Sequence, residues 1–163
     1  MLVYFAGPDV FRPDYQEIRG KLAQLAFARG IYPLFPGEAI LKGASEIVEF
    51  NLMLLRKADG VVANLNPFRG QEPDSGTIFE CGYAFANGKW VIGYLSDRRD
   101  LLSKLRQWDQ GPGPSDNVCR DGSFVEDFRQ PVNIMPALTA LSICGDAEEA
   151  IEAAAAMKAK PST

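Results

Sequence analysis

Residues 60–95 leave this chain few architectures. Gly60-Val61-Val62-Ala63 is a short apolar run without polar alternation, the pattern of a parallel strand buried on both faces. Pro67, Gly70 and Pro73 then break regular structure. Asp74-Ser75-Gly76-Thr77 opens a helix, because its side-chain oxygens can accept from the free N–H groups of a first turn. Asn87-Gly88 supplies the stop, and Lys89 to Leu95 resumes as a strand. A strand, a loop, a helix and a strand in this order make a crossover unit of a mostly parallel sheet.

The alternation continues on either side. Leu2–Ala6 reads as a strand ending at Gly7-Pro8, and Asp14–Arg29 carries a helical stripe (Tyr15, Ile18, Leu22, Leu25, Ala26) closed by Gly30. Ile31–Phe35 is a second strand with Pro36-Gly37-Glu38 as its exit. A capping-box-like Ser45-Glu46-Ile47-Val48 starts a helix expected to reach Ala58. Asp97–Trp108 reads as helical, and Asp109–Asp121, with Gly111-Pro112-Gly113-Pro114-Ser115, as a loop. Asn133–Ile143 is expected to be one helix with Pro136 in its first turn, where proline is tolerated. Asp146–Lys160 is an Ala/Glu-rich amphipathic helix expected at the surface, for packing or oligomer contacts. The expected fold is α/β: a single-domain layer sandwich with a mostly parallel, Rossmann- or flavodoxin-like sheet and helices on both faces. Residues 1–145 form the body, and 146–163 a helical extension of the same domain.

Glu80 stands out within this scheme. Ile78, Phe79, Cys81, Tyr83, Ala84 and Phe85 surround it with apolar and aromatic side chains. A helix apolar on nearly every side is normally buried, and a carboxylate there is costly unless partnered or used. The plain alternative is a solvated glutamate on the one exposed stripe.

Composition narrows the chemistry. The chain has 163 residues, no histidine and a net charge of −4. Ser-His-Asp and Cys-His catalysis and histidine metal sites are therefore excluded, and acid, base and nucleophile fall chiefly to carboxylates, tyrosine, cysteine or lysine. Without a basic cluster, nucleic acid is not an expected partner. No apolar run has membrane-spanning length and the amino terminus enters a strand directly, so a cytoplasmic location is the default expectation. Cys81, Cys119 and Cys144 lack metal-ligand spacing. No G-x-G-x-x-G or P-loop is present, and neither a cofactor nor a metal is expected.

In order and spacing, Tyr4-Phe5-Ala6-Gly7-Pro8, Ala58-Asp59, Asn64–Gly70, Asp74–Thr77 with Glu80-Cys81-Gly82-Tyr83-Ala84, Val125–Phe128 and Asn133-Ile134-Met135 resemble the nucleoside 2-deoxyribosyltransferases. The resemblance covers roughly residues 2–143. It implies Glu80 as nucleophile, Asp74 lining the sugar and base pocket, and Tyr4 hydrogen-bonded to the nucleophilic carboxylate. Asn133 and Met135 would reach the deoxyribose across a subunit interface, in a homo-oligomer built on dimers, with a hexamer as one form. Gly7 would let the backbone approach the sugar. Where some members carry a proton-donating Asp, this chain has Asn51; an amide is no acid, which leaves that role to Asp74, to Glu38 or to water. Phe11, Phe68 and Phe79 are candidates to stack on a base, with core filling expected for at least two of them. Members that end in an active-site tyrosine carboxylate differ from this chain, which ends in an alanine-rich polar extension.

The activity so implied is transfer of 2-deoxyribose between nucleobases, purines among them, through an ester on Glu80 with net retention, a nucleoside-salvage reaction. Its partners would be deoxynucleosides and free bases. Tyr4 is expected to lower the Glu80 pKa and keep it ionised. Two other readings stand beside this one: an N-glycoside hydrolase of deoxynucleosides or deoxynucleotides on the same site, and a non-enzymatic nucleoside-binding module. Asp74 also has a plain role as a helix cap, Tyr4 as a core residue, and Asn51 as a surface amide.

Overall fold

The computed structural model describes residues 1–37, 43–108, 110–114 and 116–157. Five strands, Leu2–Ala6 (β1), Tyr32–Leu34 (β2), Gly60–Asn64 (β3), Trp90–Tyr94 (β4) and Ser142–Cys144 (β5), make one sheet. Its order is β2-β1-β3-β4-β5, and every neighbouring pair is parallel. The helices are Tyr15–Ala28 (α1), Ala44–Lys57 (α2), Ser75–Ala86 (α3), Leu101–Leu105 (α4), Ile134–Thr139 (α5) and Ala147–Ala156 (α6), with a 3-10 turn at Pro8–Phe11.

Strand side chains alternate between the two faces, and this alternation divides the core. Val3, Phe5, Val62, Ile92 and Tyr94 face Leu22 and Ala26 of α1 and Ala150, Ile151 and Ala154 of α6. Tyr4, Ala6, Val61, Ala63 and Val91 face Leu54 and Leu55 of α2 and Cys81 and Ala84 of α3. Helices on both faces explain why β3 is buried along its whole length. The chain leaves β1 toward one edge and β3 toward the other, so the exits of these adjacent strands diverge. Open α/β sheets bind ligands at such a switch point.

Four expectations change. The Ser45–Glu46 capping box does not form. The chain is still extended at Gly43 (φ −126°, ψ 148°), which is the N-cap, so Ser45 falls inside the first turn. Of Asp97–Trp108 only Leu101–Leu105 is α-helical. Asp97 instead pairs with Arg99 at 2.6 Å, and Asp100 caps α4 by accepting from Ser103 N at 2.8 Å. The helix expected to reach Ile143 stops at Thr139, and Ser142–Cys144 pairs with β4 as an edge strand. Finally α6 is more than a surface helix: Ala150, Ile151 and Ala154 are fully buried against the sheet.

Candidate active site

The period of β1 and the position of α3 bring two distant residues together. Val3 and Phe5 point to the α1/α6 face, so Tyr4 points to α3, where it is fully buried. Its hydroxyl donates to Glu80 Oε1 at 2.6 Å, within the usual range for a charge-assisted O–H···O bond. The expected Tyr4–Glu80 pair is therefore present, and its electrostatics go further than expected. Burial pushes the Glu80 carboxyl up to about 7, the Tyr4 bond opposes this, and the nearby Asp74 charge adds to it. Desolvation thus outweighs the hydrogen bond that was expected to keep the pKa low. Burial first, and then Glu80, drive the Tyr4 hydroxyl far above its ordinary value, so it serves as a donor and not as a base. The adjacent Cys81 thiol is pushed up to about 12 by burial, which leaves it a poor nucleophile beside Glu80.

Asp74 is the N-cap of α3. Its Oδ2 accepts from Thr77 N at 2.9 Å and from Thr77 Oγ1 at 3.1 Å. The cap role is real, and it fixes a carboxylate on the same helix as Glu80, about one and two-thirds turns away. Asp74 also lines a cleft of about 540 Å3 whose walls include Phe68, Arg69, Trp108, Cys119 and Val125.

The remaining expected residues are spread more widely. Gly7 is extended (φ 167°, ψ 161°), and a Cβ there would lie 2.9 Å from Asn64 Cβ and 3.0 Å from Asp9 Oδ2. A close approach within the protein itself already requires glycine at this point. Phe11 is 58% exposed and Phe79 59%, so neither fills the core, and Phe68 is half-buried. Phe11 stacks on Phe68 with centroids 5.5 Å apart, and Arg69 lies over both rings at 5.0 and 4.6 Å.

Asn51 sits on α2 with its Oδ1 buried and without a partner among the described residues, unlike the surface amide its spacing allowed. Asn133 caps α5, accepting from Met135 N at 3.0 Å, and Met135 is 67% exposed. Among the described residues no hydrogen bond joins either of them to Tyr4, Asp74 or Glu80. Glu38 lies outside the described residues.

Two features were missed in the sequence. Glu126, given no role of its own within the Val125–Phe128 motif, accepts from Ile134 N at 2.8 Å and from Asn133 Nδ2 at 3.3 Å, and so braces the start of α5. Asp9 and Asn64 form a polar joint at the switch point, with Asn64 Nδ2 3.2 and 3.0 Å from the two Asp9 oxygens. The available signal was an asparagine ending an otherwise apolar strand.

Known proteins resemble this chain in sequence and in fold. The family model for nucleoside 2-deoxyribosyltransferase matches residues 3–135. A 2-desoxiribosyltransferase from Leishmania mexicana superposes with a TM-score of 0.83 at 32% identity, covering 95% of this chain and 97% of that one. A 2-deoxyribosyltransferase from Bacillus psychrosaccharolyticus shares the fold with a TM-score of 0.58 at 15% identity, over 91% of this chain and 89% of that one. An uncharacterized protein of Schizosaccharomyces pombe is 35% identical over 117 residues, 65% of this chain, and the match spans only 55% of that protein's length. With its parallel five-stranded sheet and most of its length matched, the chain belongs to the nucleoside 2-deoxyribosyltransferase family.

Proposed function

We propose that this protein moves the 2-deoxyribosyl group of a 2′-deoxynucleoside from one nucleobase to another through a covalent ester on Glu80. The observation that carries this reading is the 2.6 Å bond from the buried Tyr4 hydroxyl to Glu80 Oε1. Among the described residues no hydrogen bond reaches Oε2, and the bond from Tyr4 holds the carboxylate in one orientation. As the C1′–N bond breaks, the base leaves with its electron pair and takes up a proton. Positive charge grows on the sugar, and the Glu80 carboxylate stabilises it and then bonds to C1′. Attack by a second base on C1′ displaces the carboxylate from the opposite side, and the incoming base gives up its N–H proton to the group that protonated the first. Two inversions give retention. A carboxyl near 7 suits a group that must be a carboxylate in one step and a leaving group in the next.

Asp74, held on the same helix as Glu80, is the described carboxyl group proposed to hydrogen-bond the leaving base and pass it a proton. Asn51, whose buried Oδ1 has no partner among the described residues, carries the amide acceptor and donor that could pair with a base edge in place of an acid. Exposed Met135, Leu138 and Phe79 lie on the packed pair α5 and α3, an apolar surface that suits a homo-oligomer in which Asn133 and Met135 complete a neighbour's site. The physiological role is a step of cytoplasmic nucleoside salvage, in keeping with three free cysteines. None of the described helices is long and apolar enough to cross a membrane.

The test is chromatography of 2′-deoxyinosine incubated with excess adenine, beside a Glu80→Ala protein. Deoxyadenosine that disappears in the variant supports exchange through Glu80. Free hypoxanthine and deoxyribose without exchange would replace transfer by hydrolysis. No turnover of purine or pyrimidine donors would leave a binding module.

A further inference from the structure

A string of hydrogen bonds at the carboxyl edge of the sheet joins the exits of three strands. Asp9, on the turn after β1, lies close enough to Tyr94, at the end of β4, for its charge to push the buried Tyr94 hydroxyl further up. It also accepts from Asn64 Nδ2, at the end of β3, on both oxygens. Asn64 Oδ1 in turn accepts from Asn66 N at 3.1 Å and Asn66 Nδ2 at 2.7 Å. Asn66 Oδ1 takes Ser96 N at 3.1 Å and Ser96 Oγ at 2.7 Å, on the exit from β4. Asn64 is only 8% exposed, and satisfied buried polar networks of this kind rigidify what they connect.

The string ends at the foot of the loop that leads to α3. That loop is closed on itself by the Pro67–Pro73 bridge and by Phe68 N donating to Glu72 O at 3.0 Å. Its last residue, Pro73, directly precedes Asp74. Phe68, near its foot, stacks on Phe11, two residues beyond Asp9. The Asp9–Asn64 joint therefore sets both the spacing of the two aromatic side chains and the place from which Asp74 is presented. The cramped Gly7 reflects the same joint, since a Cβ there meets both of its members.

From this we infer that Asp9 is a positioning residue for the transfer reaction: acting through Asn64 and Asn66, it holds the Asn66–Asp74 loop and the Phe11–Phe68 pair in their substrate-binding arrangement. The inference rests on the transferase reading above. Among the described residues no hydrogen bond joins Asp9 to Tyr4 or Glu80, so its effect belongs in substrate binding more than in bond making.

The test is a reciprocal exchange. In Asp9→Asn two amides face each other across the joint, and in Asn64→Asp two carboxylates do. With both changes together the amide and the carboxylate trade places. The carboxylate on β3 then accepts from the amide and from Asn66. Each single change should raise KM for the deoxynucleoside about tenfold with kcat within about threefold of wild type. It should also speed amide hydrogen exchange across 67–74, and the double variant should restore both. A kcat loss at unchanged KM, unaltered kinetics in the single variants, or a double variant no better than either single would overturn the inference. If the wild-type protein transfers nothing, the function reading fails instead. Amide exchange across 67–74 then still decides the joint on its own, with unchanged protection in Asp9→Asn refuting it.

Discussion

Replacing Tyr4 by Phe removes one hydroxyl from a fully buried ring and leaves its packing unchanged, so the change isolates the bond to Glu80. Of the contributions to the Glu80 pKa, burial raises it, the Tyr4 bond lowers it and Asp74 raises it, to a net value of about 7. A hydrogen bond to a charged group contributes about 1.5–3 kcal/mol, which corresponds to roughly one to two pKa units. Without it the Glu80 pKa moves upward. The nucleophile must be ionised to attack, so the acid limb of kcat/KM, set by the free enzyme, should move from near 7 to roughly 8–9. At pH 7 the ionised fraction falls from about half to roughly 1–10%, a loss of about five- to fiftyfold that shrinks as pH approaches 9.5. The assay is initial-rate base exchange from pH 5.5 to 9.5 for both proteins. An acid limb that does not move, or an equal loss at both ends of the range, would refute the electrostatic argument and leave only a positional role for the hydroxyl.

Other consequences follow from the same geometry. Asp74→Asn keeps a good N-cap, so melting should change little. Exchange should fall about a hundredfold or more if Asp74 is the proton donor, and the acid limb should shift to lower pH because a neighbouring negative charge has gone; an upward shift would contradict the charge argument. Glu80→Gln removes a carboxyl whose folded pKa is raised above its unfolded value. Such a group favours the folded state below the unfolded pKa and loses that advantage as pH rises toward 7. The variant should therefore gain about 2 kcal/mol over wild type at pH 8, after a discount for solvent screening, roughly 4–8 °C in Tm, with the gain vanishing near pH 4.5. Finally, if Asn133 completes a neighbour's site, a refolded equal mixture of Glu80→Ala and Asn133→Ala proteins, each nearly inactive alone, should regain about a quarter of wild-type activity, the statistical share of intact sites in randomly paired dimers. No recovery in the mixture would place Asn133 in its own chain's site.

The layer order of the fold was legible because burial writes itself into period. Uninterrupted apolar strands such as Gly60–Ala63 announce a sheet covered on both faces, and Asp74 and Asn87-Gly88 announce the limits of α3. Short elements were not legible. Ser142–Cys144 spans three residues, too few to show a strand period, and its helical neighbour masked it. Ser45 carried a valid capping signal that an extended Gly43 overrode by starting the helix earlier.

At the site, Glu80 was conspicuous as a lone charge on an apolar helix, and the family resemblance pointed to its Tyr4 partner. The sign of the Glu80 shift was not legible, because it depends on how deeply tertiary packing buries the carboxyl. The Asp9–Asn64 joint was hidden for a related reason: its members are 55 residues apart, and only the parallel pairing of β1 with β3 brings their exits together.

The central claim is a covalent bond between Glu80 and deoxyribose, and trapping tests it most directly. The protein would be incubated with a 2′-deoxy-2′-fluoro nucleoside, whose fluorine destabilises the oxocarbenium-like transition state and slows turnover of the ester, then digested and analysed by mass spectrometry. The account predicts a fluorinated pentosyl adduct on the peptide holding Glu80, absent in Glu80→Gln and released by an added free base as a new nucleoside. An adduct on another residue, or turnover of the natural donor with no adduct accumulating at all, would contradict it.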